Sequence, residues 1–337
     1  MTTLADTVLT GITFDFLSAW NFWIGVGVLA GIYGIFTLGL QLNVGYTGVL
    51  NFGQAGFQAV GAYSAVILVV EVGIPFFAAL PISMLITILF GLLIGLPALR
   101  LRADYLAIAT IAFSEMIRIS VQNARDLTGG NQGTISLELD NGRFFEDTWL
   151  DISRWMTDNI FDPIGLGGSD FLNLPLLVVV WALFLVLTVA LTRLVKSPWG
   201  RVLRAVREDE DAARALGKNA FSYKLQSLAI GALLGGISGW FLVLLQSSVS
   251  QEAFEPIWTF IGYLILVLGG LATFPGVVFG SIIFWTLYEG LRLAEVVEAA
   301  DKDAALRFMI VGLILMALVA LRPQGALGKK EEMVLGE

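Results

Sequence analysis

The sequence of 337 residues contains no cysteine and no histidine, and charged residues are scarce. Without cysteine the chain can form no disulfide. Without cysteine and histidine it lacks the usual ligands of zinc and haem, so we expect no metal site and no cofactor bound by this chain. Only 14% of the residues are charged, where a soluble domain has about 25%, and 57% are hydrophobic. This composition excludes an ordinary soluble domain and favours a membrane protein.

Long stretches of the chain carry no charge of either sign. They are 16–70, 72–99, 171–192, 225–251 and 256–288. A helix needs about 20 apolar residues to cross the hydrocarbon core of a bilayer, so the first and the last stretch each hold more than one crossing. Weaker candidate spans lie at 104–121 and 304–321. We predict an all-α polytopic membrane protein with about eight or nine transmembrane helices, folded as a single domain over residues 1–337.

Two long hydrophilic segments differ in charge. Residues 122–173 hold nine acidic side chains and three arginines, whereas residues 196–224 hold seven basic side chains and four acidic ones. The positive-inside bias therefore places 196–224 in the cytoplasm and the acidic 122–173 loop outside. Basic residues at 100–102 and in the C-terminal tail fall on the cytoplasmic side as well, and the acidic segment 289–303 falls outside.

The basic loop reads SPWGRVLRAVREDEDAARALGKNAFSYK. Ser197-Pro198 is a helix start signal and Gly217 a helix stop, so we expect one short helix at the cytoplasmic surface. Asp211-Ala212-Ala213, followed after three residues by Gly217, resembles the EAA-x3-G signature of ABC-importer permeases. In that family the segment forms a coupling helix that docks on an ATPase subunit. A solvated loop that only anchors the topology is the alternative.

The match to the signature is incomplete. Asp211 stands where the family has glutamate, and the Ile-x-Leu-Pro that ends the fuller motif is missing, which argues against the maltose-type permeases. The resemblance implies the following coupling residues: Arg207, Glu208, Asp209, Asp211, Ala212, Ala213, Gly217 and Lys218.

Five blocks extend the resemblance over roughly residues 30–320. They read NVGYTGVLNFGQAGFQAVGAY, LRADYLAIATIAFSEMIRI, LTGGNQGT, GRVLRAVREDEDAARALG and LGGLATFPGVVFG. In this order they resemble the M-type permease of branched-chain amino-acid ABC importers. Permeases for urea and short-chain amides are close relatives of that family, so the substrate class stays open between them.

The resemblance implies a transport subunit in a bacterial inner membrane rather than an enzyme. Its implied partners are the lipid bilayer, a homologous second permease, two ABC ATPase subunits and an external substrate-binding protein, with no nucleic acid. The chain contains no G-x-x-x-x-G-K-[ST] motif, so ATP is expected to be used by the partner ATPases. The LTGGNQGT block at 127–134 is a candidate surface for docking the binding protein.

The segment GYTGVLNFGQAGFQAVG at 45–61 places amides and glycines within an apolar region. If it is largely helical, four of its polar side chains fall in a sector of about 60°. These are Thr47, Asn51, Gln54 and Gln58. Unpaired amides in lipid are costly, so this polar stripe either lines the substrate pathway or joins helices to one another. We favour the pathway, with Asn43, Tyr46 and Glu115 as further candidates.

Two further features leave alternatives open. Glu115 and Arg118 are spaced to pair on one helix face, and we favour a structural pair over a proton relay. The late segment LGGLATFPGVVFG is a second interrupted helix, which in transporters can mark a repeat, but we favour a tight cytoplasmic hairpin.

An ion-gradient-driven secondary transporter is a less favoured function because acidic residues are rare in the spans, and a membrane enzyme is the least favoured.

Overall fold

The computed structural model describes residues 19–130 and 147–293, together with the isolated positions 309, 312, 313 and 316. In these residues the regular structure is helical, which confirms the predicted all-α class. Twelve α-helices follow one another: α1 (Trp20–Leu40), α2 (Gln54–Val70), α3 (Phe76–Ala98), α4 (Ala103–Asn123), α5 (Arg125–Thr128), α6 (Asp147–Met156), α7 (Leu174–Lys196), α8 (Pro198–Glu208), α9 (Glu210–Ala215), α10 (Ala220–Gln246), α11 (Ile257–Gly269) and α12 (Phe274–Leu293).

Five segments of the described chain are long and apolar enough to cross a membrane, as a polytopic protein requires. They are Trp20–Tyr46, Phe76–Ala98, Ser169–Lys196, Ala220–Gln246 and Phe274–Arg292. Two further apolar helices, α2 and α11, have only 17 and 13 residues. At 1.5 Å per residue they measure about 25 and 20 Å, which is less than the hydrocarbon core of about 30 Å.

The two weaker candidate spans have different outcomes. The span predicted at 104–121 falls within α4, a helix that is not among the segments apolar enough to cross a membrane. The span predicted at 304–321 lies almost wholly outside the described residues. The total of eight or nine spans therefore stays a prediction.

α1 and α10 form the centre of the bundle. Their most apolar windows are 78% and 72% buried, whereas those of α3 and α7 are only 33% buried. The large side chains that the middle of α3 and of α7 exposes are apolar, as expected of helices whose outer surface meets lipid. Polar groups in the middle of α1 and α10, such as Thr37 on α1 and Ser238 on α10, therefore lie inside protein.

Glycines let α2 approach α10 closely. A Cβ on Gly61 would clash with the backbone of Gly236, and a Cβ on Gly239 would clash with the carbonyl oxygen of Gln58. Small residues at such contacts are typical of helix interfaces in membranes. The close approach places the polar side chains at the start of α2 directly against α10.

Contacts between distant segments define two ends of the bundle. At one end Tyr46 Oη donates a hydrogen bond to the Ala272 carbonyl oxygen at 2.5 Å. At the other end the rings of Trp20 and Phe171 lie 6.3 Å apart. We call the end that contains Tyr46 the coupling end, because α8 and α9 lie there.

The orientation of these ends rests on the charge pattern. The positive-inside bias predicts that the coupling end, with segment 196–224, faces the cytoplasm. Much of the predicted external loop is not described, since residues 131–146 lie outside the described ranges. The same holds for half of the LTGGNQGT block.

Candidate functional site

The helix is broken between α1 and α2. α1 continues into a π-helical turn over Gln41–Tyr46, and the backbone then leaves helical geometry until α2 begins at Gln54. Gly48 has a φ of 73°, a left-handed conformation that glycine adopts without strain. The Asn51 side-chain oxygen accepts a hydrogen bond from the Gly53 amide at 2.9 Å, which forms an Asx-type turn before α2. The condition on which the polar stripe was predicted, a largely helical GYTGVLNFGQAGFQAVG segment, therefore does not hold for the first half of the segment.

The break nevertheless brings the predicted pathway residues into one buried region. None of the six is more than 8% exposed: Asn43, Tyr46, Thr47, Asn51, Gln54 and Gln58. Non-helical backbone at membrane depth is tolerated only where protein or a water-filled cavity covers it. π-helical turns are frequent at functional sites. We call the segment 41–53 the first break.

One cluster joins the first break to α10 through hydroxyl groups. Thr47 Oγ1 lies 2.7 Å from Ser227 Oγ, and Ser227 Oγ lies 3.1 Å from Asn43 Oδ1. A Cβ on Gly231 of α10 would collide with the Asn43 amide group, so the glycine makes room for it. The Asn43 Nδ2 group has no hydrogen-bond partner among the described residues. This asparagine is thus only partly satisfied.

A second cluster is centred on Gln54, whose amide group is bonded on both sides. Its Nε2 donates to the Gly231 carbonyl oxygen at 2.9 Å, and its Oε1 accepts from Asn51 Nδ2 at 3.0 Å. A longer contact of 3.3 Å joins Nε2 to the Phe36 carbonyl oxygen of α1. Gln54 therefore connects α1, the first break and α10 in the structure.

Gln58, one helical turn further along α2, has the opposite environment. Its side chain is 0% exposed, and neither its Nε2 nor its Oε1 has a hydrogen-bond partner in the described part of the chain. A buried polar atom without a partner costs about 1–3 kcal/mol. Within residues 19–130 and 147–293, Ser114 Oγ on α4 and Tyr63 Oη on α2 are buried without a partner as well.

The second interrupted helix is the predicted tight hairpin. α11 ends at Gly269 and α12 begins at Phe274, and the intervening turn has positive φ at Gly270 and Ala272. A Cβ on Gly269 would clash with the carbonyl oxygen of Gly276, so the two helices leave the turn in close contact. We call 270–273 the second break. Its predicted position on the cytoplasmic side stays a prediction.

The two breaks contact each other through residues that are 229 and 226 positions apart in sequence. Gln41 Nε2 donates to the Gly270 carbonyl oxygen at 3.1 Å, and Tyr46 Oη donates to that of Ala272. The Tyr46 ring stacks on Phe274 with centroids 4.9 Å apart. The coupling end therefore contains one joined element made from both breaks.

α11 supplies partners that the sequence analysis missed. Tyr263 Oη donates to the Asn51 carbonyl oxygen at 2.9 Å, and Thr259 Oγ1 accepts from the Ala55 amide at 3.0 Å. Ser227 and Gly231 on α10 were missed too. The spacing of Gly231, Gly235 and Gly239 by four residues could have indicated the face of α10 that meets α2, because it places them on one side of a helix.

The coupling segment consists of two helices and not of the single helix predicted. α8 ends at Glu208, and Asp209 takes an extended conformation with φ of −152°. Its carboxylate accepts a hydrogen bond from the Ala212 amide at 2.9 Å and caps α9, as aspartate commonly does at a helix start. The acidic run EDED, rich in capping groups, thus restarts the helix.

The predicted helix stop at Gly217 is confirmed. Gly217 has a φ of 76°, and the amide of Lys218 donates to the Ala213 carbonyl oxygen at 3.1 Å. This pattern is a Schellman motif, in which glycine takes the left-handed position that ends a helix.

α8 touches the first break directly through one side chain. Arg207 Nη1 donates a hydrogen bond to the Gly45 carbonyl oxygen. A Cβ on Gly48 would lie 3.3 Å from Arg207 Cγ, so the stem of the arginine packs on the same segment. Arg207 therefore joins the predicted coupling residues to the segment that holds most of the predicted pathway residues.

The other predicted coupling residues differ in exposure. Ala213 is 3% exposed and packs with Val206 and Ala220. The remainder are exposed: Glu208, Asp209, Asp211, Ala212, Gly217 and Lys218. Leu216, which the sequence analysis did not include, is 80% exposed beside them.

Glu115 stands apart from the buried amides. It forms the predicted ion pair with Arg118, whose Nη2 lies 2.5 Å from Glu115 Oε1, and Arg118 Nη1 donates to Gln251 Oε1 at 2.8 Å. The Glu115 side chain is 35% exposed. Across the described residues no group of acidic side chains is arranged to hold a metal ion.

Comparison with known proteins places these features in a family. Residues 23–319 match the family model described as branched-chain amino acid transport system / permease component. The chain is 35% identical over 320 residues to the high-affinity branched-chain amino acid transport system permease protein LivM of Escherichia coli (strain K12), with 92% of this chain and 72% of that protein covered.

Two more distant relatives widen the comparison. The probable branched-chain amino acid transport permease protein LivM of Methanocaldococcus jannaschii is 25% identical over 343 residues, covering 89% of this chain and 91% of the relative. The permease protein LivH of Escherichia coli (strain K12) is 24% identical over 320 residues, covering 90% and 93%. No solved structure matches the chain.

Proposed function

Because the chain belongs to the permease component family of branched-chain amino acid transport systems, we propose that it carries branched-chain amino acids across the bilayer as a subunit of an ATP-binding-cassette importer. As a permease component it is a transport protein and not an enzyme. The family match over residues 23–319 supports this class. The contact between Arg207 of α8 and Gly45 of the first break is the observation that supports its mechanism.

The proposed assembly follows from the relatives. Both LivM and LivH of Escherichia coli are similar to this chain, which supports a pair of homologous permeases, one of each type. Two ATPase subunits on segment 196–224 and an external binding protein complete the proposed importer. The proposed location is a bacterial inner membrane with the coupling end in the cytoplasm, as the positive-inside bias predicts.

In the proposed mechanism the coupling segment acts on the first break. The exposed acidic and small residues of α8 and α9, with Leu216, form the surface on which an ATPase docks. When the ATPases close on ATP, the displacement of α8 is transmitted through Arg207 to Gly45 and Gly48. The first break is suited to respond, because a π-helical turn followed by irregular backbone has fewer helical hydrogen bonds to disrupt than a continuous helix.

The proposed pathway lies where the buried amides are not satisfied by protein. Gln58, and the Nδ2 group of Asn43, lack partners among the described residues. Neutral amides can bond a passing zwitterion without holding it in a deep electrostatic well. Thr47, Asn51 and Gln54 bond to α10, to α1 or to each other, and in the proposal they hold the break in shape.

Gly217 offers a sharp test of the coupling proposal. Gly217→Val forces a branched residue into the left-handed region, which costs about 1–2 kcal/mol, and should disturb the end of α9. We expect at least a tenfold loss of ATP-driven leucine uptake in proteoliposomes and reduced co-purification of the ATPases. Gly165→Val is the matched control, because Gly165 also has positive φ, at 80°, and open space around its Cβ position, but lies far from α9 in the chain.

The possible outcomes separate the alternatives. Normal uptake and co-purification in Gly217→Val would contradict the coupling role. Uptake by the chain alone, driven by an ion gradient without ATPases, would support a secondary transporter. Uptake of urea or a short-chain amide in place of leucine would support the importer class but contradict the proposed substrate.

A further inference from the structure

The end of the bundle opposite the coupling end contains a recess. The rings of Tyr33 on α1 and Trp258 on α11 lie 5.3 Å apart. Tyr33 lies thirteen residues after Trp20, where α1 begins, which is about 20 Å along a helix. Trp258, in the first turn of α11, therefore lies deep in the bundle relative to the start of α1. Side chains of α1 and α12 line cavities between this level and the start of α1.

A cavity of about 210 Å³ lies in this recess. It is smaller than the roughly 300–1,000 Å³ of pockets for drug-sized ligands, and so fits a solute of amino-acid size. A second cavity of about 380 Å³ shares three residues with it and extends along α1 towards Ala19. The first of these, the inner cavity, is lined by four aromatic and two charged residues: Tyr33, Trp258, Trp285, Tyr288, Glu289 and Arg292. We call these six residues the aromatic recess.

Four rings form one wall of the recess. Tyr33 lies 4.8 Å from Trp285, and Trp285 lies 5.5 Å from Tyr288. Tyr33 and Trp285 are each 2% exposed, so they are not part of an aromatic belt at the membrane surface, where such rings meet lipid headgroups. The Trp285 Nε1 donor has no acceptor among the described residues. Aromatic faces attract ammonium groups and also pack against aliphatic chains.

The other wall carries both charges that a zwitterion needs. Arg292 Nη1 lies 3.2 Å from a Glu289 carboxylate oxygen, and the two side chains are 59% and 13% exposed. An amino acid placed against this pair can direct its ammonium group to Glu289 and its carboxylate to Arg292. The four charges then alternate in sign, and each contact is a charge-assisted hydrogen bond.

We propose that the aromatic recess is an entry site that binds the free zwitterion of an aliphatic amino acid before it reaches the first break. Glu289 binds the ammonium group, Arg292 binds the carboxylate, and the rings enclose the aliphatic side chain. The direction of transfer, from the recess towards the coupling end, rests on the proposed importer function. The binding itself does not need ATP or the external binding protein.

The test uses the complete permease and ATPase complex in nanodiscs, without the external binding protein. Saturation-transfer NMR on the leucine methyl groups gives the dissociation constant, with N-acetyl-leucine amide as the uncharged comparator. We expect leucine to bind and the comparator to bind at least about tenfold more weakly, because two charged hydrogen bonds are lost. Glu289→Gln and Arg292→Gln should each weaken leucine binding about tenfold or more.

Matched variants keep the test independent of folding. Arg154→Gln removes an exposed arginine that is also paired at i,i+3, with Asp151 at 3.9 Å, and should leave leucine binding unchanged. Ala253→Trp fills the inner cavity, which Ala253 lines, and should abolish the signal while the complex still hydrolyses ATP.

Three results would overturn the inference. They are equal binding of the uncharged comparator, unchanged leucine binding in both charge variants, and no leucine signal in the unmodified complex. If ATP-driven leucine uptake with the binding protein present accompanies any of these, only the entry site is refuted. If the complex takes up no branched-chain amino acid, the proposed function fails independently of the recess.

Discussion

Gln54 and Gln58 lie one turn apart on α2 and are both 0% exposed, yet their surroundings differ. The amide of Gln54 donates to a carbonyl of α10 and accepts from Asn51. The amide of Gln58 has no partner among the described residues. The same side chain in the same helix thus has two environments: Gln54 is bonded to other segments, whereas the amide atoms of Gln58 are unbonded in the described part of the chain.

The two environments predict different changes in folding free energy when the amide is removed. Removing a bonded amide costs its hydrogen bonds, and a partner that has no other bond is then buried and unpaired at about 1–3 kcal/mol. Removing an unbonded amide leaves no new unpaired atom and removes two existing ones. A native fold tolerates an unsatisfied buried group only for a reason such as function or an ordered water molecule. The comparison therefore assigns structure to Gln54 and, in our proposal, solute contact to Gln58.

The largest effects should come from leucine at these two positions. Gln54→Leu removes the bond to the Gly231 carbonyl oxygen and leaves Asn51 Nδ2 unpaired, and we expect it to destabilise the protein by about 2–4 kcal/mol. Gln58→Leu should keep or raise stability but reduce uptake at least tenfold, because the pathway loses a bonding group. Thermal unfolding of the purified complex measures the first quantity, and ATP-driven leucine uptake measures the second.

A reversed result would break the comparison. If Gln58→Leu unfolds the complex while Gln54→Leu is stable and slow in transport, the assignments must be exchanged. Thr87→Val is a suitable control, because Thr87 is also 0% exposed on a membrane helix but, among the described residues, its hydroxyl bonds within its own helix, to the Ser83 carbonyl oxygen. It should change neither quantity strongly.

A smaller effect is expected where a bonded hydroxyl joins the two breaks. Tyr46→Phe removes the hydrogen bond to Ala272 and keeps the stack on Phe274. We expect a loss of about 0.5–1.5 kcal/mol in stability and a moderate loss of uptake, because the joined element at the coupling end becomes looser. Tyr263→Phe removes a similar bond, to the Asn51 carbonyl oxygen, and should match it in stability. Equal uptake in Tyr46→Phe and the unmodified protein would show that the join between the breaks is not needed for transport.

The sequence predicted the class of the molecule and several local features. Charge-free runs predicted the membrane helices, Gly217 the end of α9, and the spacing of Glu115 and Arg118 their ion pair. These depend on composition or on residues a few positions apart. Such signals are read directly from a single chain.

The rest depends on contacts between distant segments. The stripe predicted at 45–61 assumed a continuous helix, whereas the structure ends the helix at Tyr46 and restarts it at Gln54. Which amide is satisfied depends on Gly231, 177 residues away from Gln54. No helical periodicity contains that information, because it arises from how α2 packs on α10. The contact of Arg207 with Gly45, which links the coupling segment to the first break, was not predicted for the same reason, because it joins segments distant in sequence.

The smallest effect is expected at Glu115, the charged residue among the predicted pathway residues. It extends the comparison of Gln54 and Gln58 to a charged group. Its carboxylate is bonded to Arg118, and Arg118 also reaches Gln251. Glu115→Gln keeps a hydrogen-bond acceptor of the same shape, and an ion pair this exposed contributes only about 0–1 kcal/mol. We therefore expect less than a twofold change in leucine uptake and no change in its pH dependence between pH 5 and 8. A proton relay would require Glu115 to change charge during transport. A flattened pH profile or a large loss of uptake in Glu115→Gln would therefore assign Glu115 a direct role in transport, as proposed for Gln58, and not a structural role like that of Gln54.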